Sequence, residues 1–390
     1  MNINIKHLNK RKCIIVAITF LILILMLIFN SEKLNYDDLS IMLNNEFIEL
    51  KNVPIIDEDE NILFSLDDVQ NLFDKTIYYN EIDEILITTG NKHIATLKID
   101  NKDAEIDDNS IELNGLLQIK DDIVYVPISD LANVYDLEMY FSKRSNRIII
   151  DSLNNEKIEV TVRQKTSLKN GKGIFSKRIE SLVIGDKLVV LETNGSFKIV
   201  RSPLGNIGYV KTNKLSEDEK IRDDVKYEKI EIVPYFNYSN SSGIYNDIDV
   251  DRTKRNVILP DFFSIEKEDK LLDKTNITSA TYAVYKKWAE NNGLEILPSI
   301  VNSENISDCL LTYEQRSKII NELKDKLLEY GFWGININFK TIDDFNSFYR
   351  FIIELVPRFK ENDLKIVVTI NNNNIERNRI EKQVDCIIEE

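Results

Sequence analysis

The stretch GFWGININFK, residues 331–340, holds the polar residues best placed to do chemistry. A glycine turn is followed by alternating apolar and polar residues, which is the pattern of a strand buried on one face. Its alternating polar residues are Asn336, Asn338 and Lys340, and none is an acid. Lysine, with a reference pKa of about 10.4, is poorly matched to proton donation at neutral pH. The motif leaves three readings open: an active site, the remains of one, or only a buried strand.

The residues from 226 onward alternate between strand and helix patterns, and this alternation must position the motif. The predicted strands are residues 230–234, 256–260, 294–300, 334–339, 364–370 and 384–388. Thr312 and Gln315 form a capping box before an amphipathic helix, and Gly331 is a helix stop. A second helix is predicted from Thr341 up to Pro357. This alternation predicts parallel strands and a (β/α) TIM-type barrel.

Six blocks of this segment carry a family resemblance. In order they read IEIVPYFNYSN, NVILPDFFSI, KKWAENNGLEILPSIVNS, LLEYGFWGININF, FIIELVPRFKENDLKIVVTI and VDCIIEE. The segment 226–390 resembles glycoside hydrolase family 18, in particular its branch of spore-cortex and cell-wall hydrolases. The resemblance implies cleavage of N-acetylated sugar polymers such as chitin or peptidoglycan. It also implies an acidic motif on the fourth strand, aspartate-glycine-x-x-x-aspartate-x-glutamate, whose glutamate protonates the leaving oxygen while the aspartate positions the substrate's acetamido group.

Carried over residue by residue, this motif is degenerate in the present chain. Its opening aspartate is replaced by Trp333, and the glycine is kept as Gly334. Asn336 is an accepted variant, the central aspartate is Asn338, and the glutamate is Lys340. Positioned proton transfer contributes roughly 10²–10⁴-fold to catalysis. The resemblance therefore implies a protein without catalytic residues, and we expect it to be inactive.

The predicted barrel is also short. A complete barrel of this kind needs eight strands and about 250 residues, whereas residues 226–390 supply about six strands. The resemblance implies a C-terminally truncated, incomplete barrel with two open sheet edges. Three alternatives stay open: a truncated remnant, edges covered by another chain or by an oligomer, or a poorly stable fold.

Two smaller segments precede the barrel. Residues 31–152 mix strands with short helices; Ile128, Leu131 and Val134 predict one amphipathic helix, and the segment resembles the copper amine oxidase N-terminal domain, a small α+β repeat domain. Residues 157–216 have short strands with hairpin signals at Gly185-Asp186 and Asn194-Gly195, and they resemble a bacterial SH3-like β-barrel. The second segment is interpreted as a spacer more readily than as a peptide-binding groove.

The N-terminus predicts a single-pass membrane anchor. Residues 13–29 contain no charged residue and are just long enough to cross a bilayer. Residues 1–12 are basic, which places this tail in the cytoplasm and the bulk of the chain outside the cell membrane. No small-residue cleavage pattern follows the apolar run, so a signal-anchor is preferred to a cleaved signal peptide.

Composition excludes several classes of function. The net charge is −15, which disfavours nucleic acid as a partner because its phosphates would be repelled. The two histidines, His7 and His93, are too few for a typical zinc or copper site, so no metal and no cofactor are expected. Cys309 and Cys386 are expected to be buried thiols rather than a disulfide.

The predicted function is that of a membrane-anchored, cell-wall-associated pseudoenzyme that binds glycan. Tyr235, Phe262 and Trp333 are the candidate carbohydrate-binding residues, each with core packing as an equal alternative. One alternative is an active N-acetylglucosaminidase-type glycosidase that uses other acids: Asp261, Glu295 or Asp343. The other is a structural or interaction protein, or a truncated gene remnant.

Overall fold

The computed structural model describes residues 38–226, 231–235, 249–266, 270–370 and 375–389. The predicted cytoplasmic tail 1–12 and membrane span 13–29 lie outside these residues. Within the described ranges, no helix is both long enough and apolar enough to cross a membrane. The chain divides into two compact units. The first holds the described residues up to 49 together with 138–225, and the second holds 50–137 together with the described residues from 226 onward.

Strands dominate the described structure, and they are numbered here in chain order. The first thirteen are β1 (Ser40–Leu43), β2 (Glu46–Ile48), β3 (Ile55–Ile56), β4 (Ile62–Ser65), β5 (Tyr78–Asn80), β6 (Ile85–Thr89), β7 (Ile94–Lys98), β8 (Asp103–Ile106), β9 (Asn109–Glu112), β10 (Gln118–Lys120), β11 (Ile123–Pro127), β12 (Leu137–Ser142) and β13 (Arg147–Ser152). The next seven are β14 (Lys157–Thr161), β15 (Thr166–Lys169), β16 (Arg178–Leu182), β17 (Lys187–Asn194), β18 (Phe197–Arg201), β19 (Ile207–Lys211) and β20 (Glu219–Arg222).

The remaining strands and the helices follow the predicted alternation. The strands are β21 (Ile232–Tyr235), β22 (Arg255–Ile258), β23 (Phe263–Glu266), β24 (Lys270–Asp273), β25 (Glu295–Ile296), β26 (Ser299–Asn302), β27 (Gly334–Asn338), β28 (Lys365–Ile370) and β29 (Cys386–Glu389). The α-helices of the described residues are α1 (Leu66–Leu72), α2 (Ala280–Asn291), α3 (Tyr313–Tyr330) and α4 (Phe345–Glu361). Short 3₁₀ helices cover Thr212–Lys214, Ser307–Leu310 and Arg377–Arg379.

The first unit contains two sheets. One has the order β12-β13-β1-β2, and the other has the order β16-β15-β19-β18-β17-β14-β20 with antiparallel pairing. The second sheet encloses its own apolar core, which includes Val160, Leu168, Leu188 and Val200. The predicted hairpin at Asn194-Gly195 is confirmed, since β17 pairs with β18 and Asn194 lies opposite Phe197. Its SH3-like classification stays a prediction.

The second unit begins with two antiparallel sheets. One has the order β10-β11-β4-β3 and the other runs β5 to β9 in chain order. Ile128, Leu131 and Val134 are fully buried, as the predicted amphipathic helix requires. Their backbone nevertheless forms turns rather than a helix.

The predicted TIM-type barrel is wrong, because the strands from β21 onward form two open sheets. One is parallel with the order β21-β22-β25; the other has the order β24-β23-β26-β27-β28-β29, parallel except for the edge strand β24. Two prolines lie where the sheets separate, although Leu297 N still donates to Ile258 O at 3.0 Å and Ser299 N to Pro260 O at 2.7 Å there. Pro260 follows β22 and Pro298 separates β25 from β26, and a proline has no N–H to donate to a sheet ladder.

Helices α3 and α4 cover one face of the six-stranded sheet. The predicted capping box at the start of α3 is confirmed: Gln315 N donates to Thr312 Oγ1 at 3.2 Å and Thr312 N donates to Gln315 Oε1 at 2.9 Å. Gly331 ends this helix with φ +70°. Helix α4 begins at its cap Asp344 and continues past Pro357 to Glu361, so the predicted end at the proline is too early. Buried residues of both helices pack against Ile335, Ile337 and Phe339 in the largest apolar core.

Candidate functional site

Strand β27 presents the motif residues on two different faces. Ile335, Ile337 and Phe339 pack into the core below α3 and α4. Because side chains alternate along a strand, Asn336 and Asn338 share the opposite face. Gly334 begins the strand at a close approach to β28, where an added Cβ would lie 2.3 Å from the carbonyl oxygen of Lys365. The glycine therefore sets the spacing between β27, which carries the motif, and β28.

Asn336 is fully buried and joins three neighbouring strands. Its Nδ2 donates to Ser299 Oγ on β26 at 2.9 Å, and its Oδ1 accepts from Thr369 Oγ1 on β28 at 2.9 Å. Ser299 Oγ in turn donates to the Leu259 carbonyl at 3.4 Å. This chain of hydroxyl and amide groups is neutral, so it holds the strand without supplying a proton donor for catalysis.

Asn338 and Lys340 lie at the carboxyl end of β27. Asn338 is 6% exposed and Lys340 is exposed. Asn302, at the end of β26, holds the backbone that follows β27. Its Oδ1 accepts from Lys340 N at 2.7 Å, and its Nδ2 donates to Thr341 O at 2.6 Å and to Glu304 O at 2.9 Å. Sequence reasoning missed Asn302, although its place just after a predicted strand was a usable signal.

Trp333 lies at the other end of β27, together with two charged residues. Arg255 begins β22 and Glu295 begins β25, so all three lie at the amino ends of parallel strands. The Arg255 guanidinium carbon is 3.7 Å from the centroid of the Trp333 ring. The same guanidinium donates to Glu295 Oε2 from Nη2 at 2.7 Å and from Nε at 3.0 Å. Glu295 is therefore paired with Arg255 at the amino ends of the strands, opposite the end where Asn338 and Lys340 lie. The Arg255 guanidinium also covers one face of the Trp333 ring.

The other candidate aromatic residues are partly buried in apolar packing. Phe262 contacts Tyr282, Tyr285 and Phe332, with ring centroids 6.0–6.2 Å apart. Tyr235 packs at the same cluster around Tyr285, whereas Trp333 packs with Val257 and Leu297 in a different one. The structure thus brings Tyr235 and Phe262 together and leaves Trp333 apart from them. Their role in carbohydrate binding stays a prediction.

The remaining candidate acids are exposed. Asp261 follows β22, and Asp343 lies between β27 and α4. Asp343 Oδ2 accepts from Asn305 Nδ2 at 2.7 Å, and its backbone N donates to Ser307 Oγ at 3.1 Å. Solvent-facing carboxyl groups of this kind lack the burial that would prepare one of them as a general acid.

Within the described part of the chain, no group of three or more His, Cys, Asp and Glu side chains is arranged to hold a metal ion. His93 Nδ1 is instead 2.6 Å from Asp107 Oδ2. Cys309 is buried and Cys386 is partly buried, and neither forms a disulfide bond among the described residues.

Helices α3 and α4 carry a buried ionic cluster that the sequence pattern did not predict. Arg316 and Glu354 are both fully buried, and Arg316 Nη2 lies 2.8 Å from Glu354 Oε1. Tyr78 on β5 donates its hydroxyl to the same oxygen and accepts from Arg316 Nη2 at 3.1 Å. Burial raises the pKa of Glu354 despite the opposing charge of Arg316, and burial likewise raises the pKa of Tyr78.

A second arginine extends this cluster toward the β5–β9 sheet. Arg358 Nη2 donates to Asp108 Oδ1 at 3.0 Å, to Tyr313 Oη at 3.0 Å and to Ser317 Oγ at 2.9 Å. Arg358 Nη1 donates to the Glu354 carbonyl at 3.1 Å. Tyr78 and Tyr313 also pack against Ile85, Ile87 and Ile94 of the sheet. The outer faces of both helices are thus joined to this sheet by polar and apolar contacts inside one compact unit.

Comparison with known proteins identifies one family match. Residues 42–150 match the Copper amine oxidase N-terminal domain family. This match supports the predicted resemblance for the first segment and covers less than a third of the chain. No curated protein matches the sequence significantly.

Several solved chitinase structures are similar to part of the chain. The Group IV chitinase of Ostrinia furnacalis is 20% identical over 42% of this chain and 51% of its own length, with a TM-score of 0.34. An immunomodulatory chitinase from Trichuris suis is 15% identical over 42% and 50%, with a TM-score of 0.33. A class V chitinase from Pseudomonas fluorescens Pf-5 is 14% identical over 34% and 45%, with a TM-score of 0.29. The chain spans about half the length of these relatives.

Proposed function

We propose that this chain is a membrane-anchored, extracellular, cell-wall-associated relative of the family 18 glycoside hydrolases that binds N-acetylated glycan without cleaving it. One observation carries the proposal. The two positions that would carry the acids in the resembled enzymes are Asn338, at the end of β27, and Lys340, just beyond it. With no carboxyl group at these positions, the strand end lacks both the proton donor and its partner.

The same strand end retains groups suited to a sugar. The exposed Lys340 ammonium has three donors for hydroxyl or acetamido oxygens. Asn302 fastens the backbone of this exit through its contacts to Lys340 and Thr341. A fixed edge costs less conformational entropy on binding than a mobile one. These features support glycan binding as the retained function.

Retention of the purified full-length chain on insoluble chitin and peptidoglycan tests the binding. We expect the wild type to be retained on at least one polymer and Lys340→Ala to be retained several-fold less. Lys318→Ala, which removes an exposed lysine from α3, is the matched control and should bind like the wild type. Failure of the wild type to bind either polymer contradicts the proposal and favours a structural or interaction protein.

The absence of turnover is tested separately with a soluble N-acetylglucosamine oligomer. We expect no release of reducing sugar. If sugar is released, the pseudoenzyme proposal is wrong, and Asp261→Asn and Asp343→Asn then identify which exposed acid is responsible. Glu295→Gln is the control in that case, since Glu295 is paired with Arg255 at the opposite edge.

Membrane anchoring rests on the sequence alone, namely the uncharged residues 13–29 behind a basic tail. Carbonate extraction of membranes from expressing cells measures it. We expect the full chain to stay in the pellet and the bulk of it to be digested by protease added outside the cells. Release into the carbonate supernatant would show that the apolar run does not anchor the chain.

A further inference from the structure

The hairpin of β15 and β16 ends in an unusual loop. Residues 170–177, called the tip here, connect the two strands at one end of the seven-stranded sheet. At its apex Ile174 is 90% exposed and Phe175 is 85% exposed. The tip has ordered backbone contacts, because Asn170 N donates to Lys177 O and Ser176 N donates to Gly173 O, both at 3.1 Å. A hydrogen-bonded turn thus exposes two adjacent large apolar side chains to solvent.

The charge around the tip differs in sign from that of the chain. Residues 157–222 carry 14 Lys and Arg against 7 Asp and Glu, a net charge of +7, whereas the whole chain carries −15. No acidic residue occurs from residue 160 to residue 179. The cations beside the apex are Lys169, Lys172, Lys177 and Arg178. These four cations are called the collar here, and the tip therefore combines an apolar apex with a cationic collar.

We propose that the tip docks on an anionic lipid surface, with Ile174 and Phe175 entering the boundary between headgroups and acyl chains. The collar residues then lie at headgroup depth, where long lysine stems keep their ammonium groups near lipid phosphates. Each lysine held near such a surface raises partitioning about fivefold. The inference is independent of glycan binding, since it concerns a different compact unit.

Charge and exposure distinguish three possible binding partners of the tip: a soluble polyanion, a second copy of the chain and an anionic lipid surface. A soluble polyanion would be attracted to the collar but would leave Ile174 and Phe175 in water. A second copy of the chain would cover the apex but would bring its own collar against the first, and like charges repel. An anionic lipid surface satisfies the apolar and the cationic residues together.

The test places a tryptophan at the apex of the full-length chain. Phe175→Trp is reconstituted with vesicles of phosphatidylcholine alone or with added phosphatidylglycerol, and its emission is measured with and without lipids brominated on the acyl chain. We expect a blue shift and bromine quenching in the anionic vesicles, with little of either in the neutral ones. Ile184→Trp is the matched control, since Ile184 is 69% exposed beyond the opposite end of β16.

The local readout separates the tip from the predicted anchor at residues 13–29, because the anchor is the same in both tryptophan variants. Adding Lys172→Gln and Lys177→Gln to Phe175→Trp should lower docking about 25-fold, and roughly 1 M salt should weaken it by screening. Equal quenching of the two tryptophans, or none at position 175, overturns the proposal. Binding to soluble polyphosphate without bromine quenching would assign the collar to a polyanion instead, and concentration-dependent association without quenching would assign the tip to a second copy.

Discussion

Asn336 shows how a single side chain can hold neighbouring strands together. Its amide donates to Ser299 and accepts from Thr369, so the nitrogen and the oxygen of this fully buried group each have a partner. Trp333, at the amino end of the same strand, contacts Arg255. At this scale the strand is maintained by neutral hydrogen bonds and close packing, and its stability can be tested one side chain at a time.

Gly334→Ala should destabilise the protein by about 1–3 kcal/mol, because the new Cβ would meet the Lys365 carbonyl and force β27 and β28 apart. The shift of the urea unfolding midpoint measures this. Gly331→Ala is the comparison: its Cβ would meet no atom within 4 Å, and only its φ of +70° opposes the change, at about 1 kcal/mol. An equal loss in both variants would mean that backbone conformation, rather than the strand contact, explains the effect.

Glu354 should make stability depend on pH. Its folded pKa is raised by burial above the ordinary value of 4.5, so the folded state binds the proton more tightly than the unfolded state does. The contribution of Glu354 to the free energy of unfolding is therefore fully present below about pH 4.5. It is lost as the pH rises from there through the folded pKa. We expect Glu354→Gln to flatten this part of the profile, measured by urea unfolding at several pH values. A profile of unchanged slope would show that the carboxyl titrates normally.

At the scale of elements, α3 and α4 carry an ion pair that has no access to water. Arg316 and Glu354 face each other at 2.8 Å, and Tyr78 of β5 completes the contact. Taking two charges out of water is costly, and their mutual attraction offsets this cost only while both are present. The pair therefore joins helices to sheet in a way that depends on both partners.

Arg316→Met should cost about 3–5 kcal/mol, because Glu354 would be left buried without its cation. The double variant Arg316→Met, Glu354→Leu should recover much of that loss, since no unpaired charge remains. Urea unfolding of the four proteins gives the coupling energy. Lys326→Met, which breaks the exposed pair with Glu329 on α3, should shift the midpoint very little. Additive losses in the Arg316 and Glu354 variants would contradict the coupling.

Local signals in the sequence predicted the elements better than their assembly. Thr312, Gln315 and Gly331 marked the ends of α3, because capping and left-handed conformations depend on nearby residues. The single barrel was not borne out, since the interruptions at Pro260 and Pro298 lie inside strands whose apolar pattern continues across them. The motif strand was located correctly, but Asn302 was missed because its contacts cross from one strand to the next.

Local sequence patterns could not predict the long-range contacts. Tyr78 and Glu354 are 276 residues apart, and no local periodicity connects them. A buried arginine on α3 looks in sequence like any exposed helical cation. Its burial becomes evident only when the β5–β9 sheet covers that face of the helix.

At the scale of the whole molecule, the second compact unit is discontinuous in sequence. Residues 50–137 and those from 226 onward share it, so a fragment of residues 226–390 would expose the Arg316–Glu354 pair. We expect that fragment to lack the cooperative thermal transition of the full chain, as followed by circular dichroism. A fragment of residues 153–226 is the control and should unfold cooperatively, because the apolar core of its sheet lies within residues 160–215. Cooperative unfolding of the fragment 226–390 would show that the sheet is dispensable.

The shared ion pair has a consequence for synthesis of the chain. At about 5–20 residues per second, Glu354 is made roughly 14 to 55 s after Tyr78. For most of that interval the β5–β9 sheet has been synthesised, yet its apolar residues Ile85, Ile87 and Ile94 have no helix to cover them. A nascent polypeptide in this condition would be a substrate for chaperones on the side of the membrane where it folds, until α4 emerges and completes the unit.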